Sequence, residues 1–422
     1  MNESNEFATE PVPAAHQVGW LRVVLVSAMV AFSLPTFVTG AEVFLATPND
    51  TAVLAVLVGG GLLTLIASLS GAIGTRTHLS SYMLARIAFG VRGAALVNLA
   101  FALSLLGWFG VNVDLFSGAM LRLFTDLFSV QLAPWLVELA AGLVMTITTI
   151  YGFRAINLLS LWLVPVMMVV TAVLLVESLG LRGFASTLSA NQPAEITFGY
   201  AVSSVVGGVI VGAVILPDIT RFIRSWPGAV ATALLAYLVV ESVVMIVGGL
   251  AADVLVNGDV LDVLIIMGLS WGAFVIIIAG SWVLNSLNLY SASLSMQASW
   301  SGLNEKLMII AMGVLGTVAA FANILDYFLT FLFYLAIVFV PVAGVIAVDH
   351  FVSRPWAYGG DYQRFERSLS LPALGAWLAG SVIALLGSEG VLTLSGMGAV
   401  DAMVVSAVSY AILIRLDPQA AA

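Results

Sequence analysis

Apolar residues run through this chain in long blocks, without the strict alternation of half-buried strands or the single narrow stripe of a surface helix. Breaking these blocks at glycine, proline and charged clusters gives segments near 19–44, 51–73, 94–121, 134–152, 156–179, 196–216, 228–252, 263–297, 306–322, 326–348, 371–388 and 394–414. A helix needs about 20 apolar residues to cross the hydrocarbon layer, so twelve spans with short connections use nearly the whole chain. The pattern predicts an all-α integral membrane protein with one membrane domain.

Composition sharpens this picture. Of 422 residues, 61% are hydrophobic and 9% are charged, against roughly 25% charged in a soluble protein. The net charge of -9 and the dispersal of only 14 basic residues give no surface for nucleic acid. Cysteine is absent, which excludes disulfides and thiolate chemistry. The acidic segment 1–18 has no basic flank or cleavage signature and reads as a cytoplasmic tail. With that end inside, the inner loops and span ends hold Arg22, Arg76, Arg86, Arg92, Arg154, Arg221, Arg224, Lys306, Arg354, Arg364, Arg367 and Arg415, and the outer ones only Arg122 and Arg182. This positive-inside bias predicts a multi-pass protein of the inner (cytoplasmic) membrane with both termini in the cytoplasm. The stretch from Arg76 to Gly93 is too polar to span, and is expected to lie as an interfacial helix.

Two spans carry signs of interruption. In the first, Pro35 follows Phe32, Ser33 and Leu34; in the sixth, Gly207, Gly208 and Gly212 precede Pro217. These spans are five apart, and an odd number of crossings makes the two blocks enter the membrane from opposite sides. That is the arithmetic of an inverted repeat, whose broken helices expose backbone groups to a solute at mid-depth. Residues 19–179 then form the first five-helix repeat and 180–348 the second, with two more helices and a tail in 349–422. Gly208 and Gly212 are equally a close-packing seam between helices.

Ionisable groups within lipid are expensive and therefore candidates for function. Asp114 and Glu241 lie well inside apolar runs and are candidates for cation or proton coupling. Trp108 and Asn112 share one helix face, where an indole can stack on a planar ring and an amide can donate to it and accept from it. In the eighth span Ser281, Asn285 and Asn288 also share one face, which either joins helices or lines a polar path. The one lysine, Lys306, is preceded by no glycine-rich phosphate loop, so ATP-driven pumping is excluded. His16, His78 and His350 lie far apart in tails or loops and suggest neither a metal site nor a triad. No cofactor is implied, and no enzyme.

Several motifs occur together in order. They are Pro11-Val12-Pro13, the run from Leu84 to Gly93, Gly107-Trp108-Phe109-Gly110-Val111, Asp218-Ile219-Thr220-Arg221-Phe222, Asn285 with Leu289-Tyr290, and the run from Pro341 to Asp349. In these the chain resembles the nucleobase:cation symporter-1 family almost end to end. The resemblance implies a leucine-transporter-type fold of two inverted five-helix repeats plus two helices. It also implies cation-coupled import, by alternating access, of a nucleobase such as cytosine or a related small heterocycle.

By the same resemblance Trp108 is the stacking platform, Asn285 matches a family asparagine, and Asn112 stands where some members hydrogen-bond their ligand; with Asn288 on the eighth-span face and Ser33, Gly208, Val209 and Gly212 at the interrupted spans, these are the candidate substrate-binding residues. Backbone carbonyls of Met29 and Phe32 correspond to part of a cation site. The sequence also departs from the family. Its base-binding glutamine is Leu105, its sixth-span Ser-Phe pair is Gly208 and Val209, and its substrate-site asparagine is Gly280. The two threonines that offer oxygens to sodium are Val283 and Leu284, side chains that cannot coordinate a hard cation. With Asp114 and Glu241 at positions that are uncharged in the family, the expected coupling ion is H+ in preference to Na+. A passive channel or facilitator for a small uncharged solute is the alternative.

Overall fold

The computed structural model describes residues 11–151, 153–182, 194–254, 281–300, 302, 304–322, 324–359 and 367–417. Its helices are α1 (Trp20–Ala31), α2 (Leu34–Ala46), α3 (Asn49–Thr77), α4 (Ser81–Phe128), α5 (Pro134–Tyr151), α6 (Phe153–Arg182), α7 (Phe198–Val214), α8 (Pro217–Thr220), α9 (Trp226–Ala233), α10 (Ser242–Val254), α11 (Trp282–Ser299), α12 (Glu305–Phe321), α13 (Phe328–Val348), α14 (Leu371–Ser388) and α15 (Gly398–Leu416). A π-helical stretch, Leu234–Glu241, joins α9 to α10 without a break. Seven helices among the described residues are long and apolar enough to cross a membrane, and the shorter apolar helices Leu34–Ala46, Pro134–Ile150, Pro165–Gly180 and Lys306–Phe321 fall on the remaining predicted spans. The exception is span 263–297, of which 263–280 lie outside the described residues. Leu65, Leu103, Ile147, Val176, Leu315, Leu378 and Ile412 point outward and exposed, as lipid-facing side chains of a membrane domain do.

Local chemistry sets the helix ends. Side-chain oxygens of Ser80, Thr197, Asn304 and Ser370 accept from the backbone N–H three residues on, starting α4, α7, α12 and α14. Pro35, Pro217 and Pro372 stand in first turns, where the missing N–H has no partner to lose. α3 ends on His78 in the left-handed region.

Two groups of helices make up the interior. α1, α2, α3, α7, α9 and α10 pack together, and so do α4, α5, α11 and α12, while α13 leans on α7, α14 and α15. Backbones touch where glycine removes the side chain: a Cβ on Gly40 would strike the Met245 carbonyl, and one on Gly207 the Leu332 carbonyl. Gly207 is therefore a packing residue between α7 and α13, and α7 stays helical through all three of its predicted breakers. The interruption of the sixth span comes later, at Ile215 and Leu216, where Pro217 opens the four-residue α8. The first span does break, at Phe32 and Ser33, with Ser33 extended (φ -88, ψ 153) before α2 begins.

The expected interfacial helix is present in altered form. α3 runs on to Thr77, and the segment from Ser81 is continuous with the third span apart from a kink at Gly90 (φ 78, ψ 167). Only glycine adopts that conformation readily, and a Cβ there would also meet the backbone of Arg367 and Leu369. Leu79, Tyr82, Met83, Ile87 and Phe89 are buried in protein, so their apolar character serves the fold rather than a lipid surface.

Candidate functional site

The break between α1 and α2 leaves polar groups inside the protein. Ser33 is 4% exposed, its Oγ lies 3.0 Å from Thr36 Oγ1, and Thr39 Oγ1 donates to the Pro35 carbonyl at 2.9 Å. Phe32 is buried beside it, and Met29 sits in the last turn of α1. Opposite, α7 presents its remaining glycines: a Cβ on Gly208 would stand 3.6 Å from Thr39 and 3.7 Å from Met245 Cε, and one on Gly212 would stand 3.4 Å from the Tyr237 hydroxyl. These are ordinary contacts, so neither position is glycine because a neighbouring backbone forbids a side chain. Val209, next to Gly208, is buried. The structure thus brings Ser33, Gly208 and Gly212 onto elements that pack together, α2 and α7, with α10 across from them.

α4 packs against both α2 and α7 and carries Trp108 and Asn112. Trp108 is 7% exposed and meets Phe331 and Phe328 edge to face, with ring centroids 5.5 and 6.1 Å away. The indole is therefore turned into the protein and away from lipid. Asn112 is fully buried; its Nδ2 donates to the Trp108 carbonyl at 2.8 Å, and its Oδ1 has no partner. A buried amide oxygen left open in this way loses on the order of 1–3 kcal/mol until a donor reaches it. Sequence reasoning missed Phe328 and Phe331. Their i, i+3 spacing in an aromatic-rich run was the available signal.

Asn285 belongs to a different group. Its Nδ2 donates to the Phe109 carbonyl at 3.1 Å and lies 3.1 Å from Met145 Sδ, so it ties α11 to α4 and α5. Ser281 is buried on the same helix face, while Asn288 is half-buried. The Asn285 nitrogen joins helices, while its Oδ1, like that of Asn112, is buried without a hydrogen-bond partner among the described residues. Gly280 lies outside the described residues.

The two acids differ sharply. Asp114 is half-buried in the C-terminal half of α4, accepts from the Leu325 backbone, and has Glu138 and Asp326 as charged neighbours. Glu241 is 1% exposed, and neither carboxyl oxygen has a hydrogen-bond partner. Val283 is a buried hydrocarbon side chain.

A narrow crevice opens elsewhere, lined by Ile66, Ser70, Ser81, Pro217, Ile346 and Met403 among others. Its two hydroxyls are already engaged, Ser70 with the Ala213 carbonyl and Ser81 with Asp218. With no polar group left to orient a solute, it is a weaker ligand site than the region around Trp108.

Comparisons with known proteins agree with this architecture. A family model described as "Permease for cytosine/purines, uracil, thiamine, allantoin" matches residues 11–413. Cytosine permeases of Escherichia coli strain K12 and of Escherichia coli O157:H7 are each 30% identical over 415 residues, 98% of this chain and 95% of the relative. Among solved structures, Mhp1 in its inward-facing conformation matches with a TM-score of 0.81 at 17% identity, over 97% of this chain and 94% of that one. Mhp1, a nucleobase-cation-symport-1 family transporter, in a closed conformation with bromovinylhydantoin bound, matches at 0.76 and 20% identity, over 98% and 96%. A Na+-coupled sialic acid symporter matches at 0.68 and 16% identity, over 98% and 92%. The fold is the leucine-transporter type expected from the sequence. The protein is a multi-pass membrane transporter and not an enzyme. The chain belongs to the family of permeases for cytosine/purines, uracil, thiamine and allantoin, the nucleobase:cation symporters.

Proposed function

We propose that this chain is a proton-coupled symporter that imports a nucleobase such as cytosine, or a related small heterocycle, across the inner membrane by alternating access, with both termini in the cytoplasm. The observation that carries the reading is the break at Phe32 and Ser33 leading into α2, whose Thr39 meets Gly208 of α7, with both helices packed on the α4 that holds Trp108 and the open Asn112 oxygen. An indole and an amide one turn apart offer a ring one stacking surface and one set of hydrogen bonds. Cytosine is transported by the relatives that bear its name, and a hydantoin is bound by Mhp1; both are small planar rings. Leu105 in place of a glutamine removes one polar contact, which favours a ring read by fewer hydrogen bonds than cytosine uses. Proton coupling is preferred to sodium because Val283 and Leu284 supply no oxygen.

A melting-temperature screen of the purified protein with pyrimidines, purines and hydantoins tests the substrate class. A ligand at 100 times its Kd stabilises by about 2.7 kcal/mol, so the midpoint rises with concentration for one ring class. A flat response to all of them overturns the reading.

A further inference from the structure

Glu241 closes the π-helical stretch Leu234–Glu241 between Val240 and Ser242 in an otherwise apolar run, and the Ser242 hydroxyl is directed to the Tyr237 carbonyl. Long π-helical stretches are rare, and π-turns collect at functional positions. Both of its oxygens are buried and without a hydrogen-bond partner among the described residues. An ionised carboxylate so placed loses several kcal/mol of hydration with nothing to replace it, so in this conformation the group is the neutral acid. Ionisation requires a second conformation that admits water or a cation to it.

The neighbours of Glu241 connect it to the candidate substrate region. One turn earlier, Tyr237 reaches Gly212 on α7 with its hydroxyl; one turn later, Met245 extends its methyl to Gly208 while its backbone lies against Gly40 of α2. Glu241 thus stands one helical turn from the place where α2, α7 and α10 meet. A rearrangement of α2 and α7 around a solute changes its surroundings directly.

Among the described residues, the elements that pack most on the π-helical stretch are α1, α3, α9 and α10. α9 carries no charge, and Arg22 lies in the first turn of α1. On α3, exposed Asp50 and Arg76 occupy opposite ends, with Arg76 over the rings of Trp226 and Phe351. Asp253 lies near the far end of α10 and accepts from Asn49. Tyr237, on the same stretch, is the titratable group that interacts with Glu241 electrostatically. No hydrogen bond from any of these reaches its carboxyl. Asp114 differs in each respect: it is half-buried, it holds a backbone hydrogen bond, and it sits at the level of the Ile324–Tyr327 turn.

We infer that Glu241, and not Asp114, is the group that binds the coupling proton, an inference that rests on the proton-symport reading above and names its carrier. The carboxylate takes a proton from the outer water when the outer path is open. The neutral acid then allows the apolar wall to close, and the proton leaves to the cytoplasm when the inner path opens.

Two experiments test this. In the first, the full-length protein is reconstituted into vesicles with an imposed pH gradient and radiolabelled cytosine as the probe. Glu241→Gln is expected to lose gradient-driven accumulation while retaining cytosine exchange, and Asp114→Asn to retain both. Wild-type accumulation that survives a protonophore overturns the symport reading together with this inference; a protonophore-sensitive Glu241→Gln variant overturns the Glu241 assignment alone. The second experiment needs neither cytosine transport nor a stable Glu241 variant. Infrared spectra of Asp114→Asn in detergent are expected to show a protonated carboxyl band that moves when glutamate is isotopically labelled. Its absence overturns the assignment.

Discussion

Asp349 at the end of α13 accepts four hydrogen bonds from three buried side chains, which makes its removal a quantitative test of the fold. Its Oδ1 accepts from Arg354 Nε at 2.8 Å and from the Tyr410 hydroxyl at 2.7 Å. Its Oδ2 accepts from an Arg354 terminal nitrogen and from the Tyr358 hydroxyl, both at 2.7 Å. The pair is almost sealed from solvent, with side chains 4% and 0% exposed. Burial opposes the charge on Arg354, but the adjacent carboxylate outweighs it and holds the guanidinium above its ordinary range. Burial and then Asp349 push the Tyr358 phenol well upward, keeping it a donor. Arg354 also donates to the Ile87 carbonyl at 2.9 Å, so the cluster joins α13, α15 and the start of α4.

Asp349→Asn replaces one acceptor oxygen with an N–H₂ that faces two donors and leaves a buried cation without a counter-charge. Removing one member of a buried pair costs about 3–5 kcal/mol. Tyr410→Phe removes a single bond to a charged group, about 1.5–3 kcal/mol. The double replacement Asp349→Leu with Arg354→Leu leaves no buried charge alone, and although it strands the Tyr358 and Tyr410 hydroxyls it is expected to cost less than the two single replacements added together. Tryptophan-fluorescence unfolding in mixed micelles measures all of these. Asp349→Asn with wild-type stability, or a double variant no better than the singles added together, refutes the reasoning.

Further predictions concern the site and the helix contacts. Trp108→Ala is expected to weaken heterocycle binding by about 1–3 kcal/mol, the scale of base stacking on an aromatic ring, and calorimetric titration of the best ligand from the melting screen measures it; unchanged affinity removes the indole from the site. Gly207→Ala drives a methyl into the Leu332 carbonyl and is expected to destabilise by about 1–3 kcal/mol, whereas Gly208→Ala, in ordinary contact with Thr39, is expected to leave the melting point nearly unchanged. Asn285→Ala loses the bond to Phe109 and is expected to lower stability by about 1 kcal/mol with little change in ligand affinity. A large affinity loss with normal stability moves Asn285 back to the substrate.

The spans were legible because each needs an uninterrupted apolar run, and hydrophobicity alone marks one. Proline was legible as a signal but ambiguous in position: Pro35 and Pro217 do not unwind the helix they follow, they begin the next one. The glycines of α7 were harder to read. A glycine that permits unwinding and one that admits a neighbouring carbonyl look alike until the neighbour is known, and Gly207 proves to be of the second kind. Trp108 and Asn112 were readable together because one helical turn separates them. Asn285 was readable as part of a polar face, but its partners Phe109 and Met145 were not, since other helices contribute them. The Asp349 cluster draws on Tyr410, 61 residues away, a distance at which no periodic pattern carries information.

Active transport by this protein is decided by solute accumulation in sealed vesicles at steady state under an imposed pH gradient, using the heterocycle that raises the melting point most. A proton symporter drives the internal concentration above the external one, and a protonophore returns the two to equality. Equal concentrations at every gradient, reached by saturable flow, contradict symport and leave a passive facilitator.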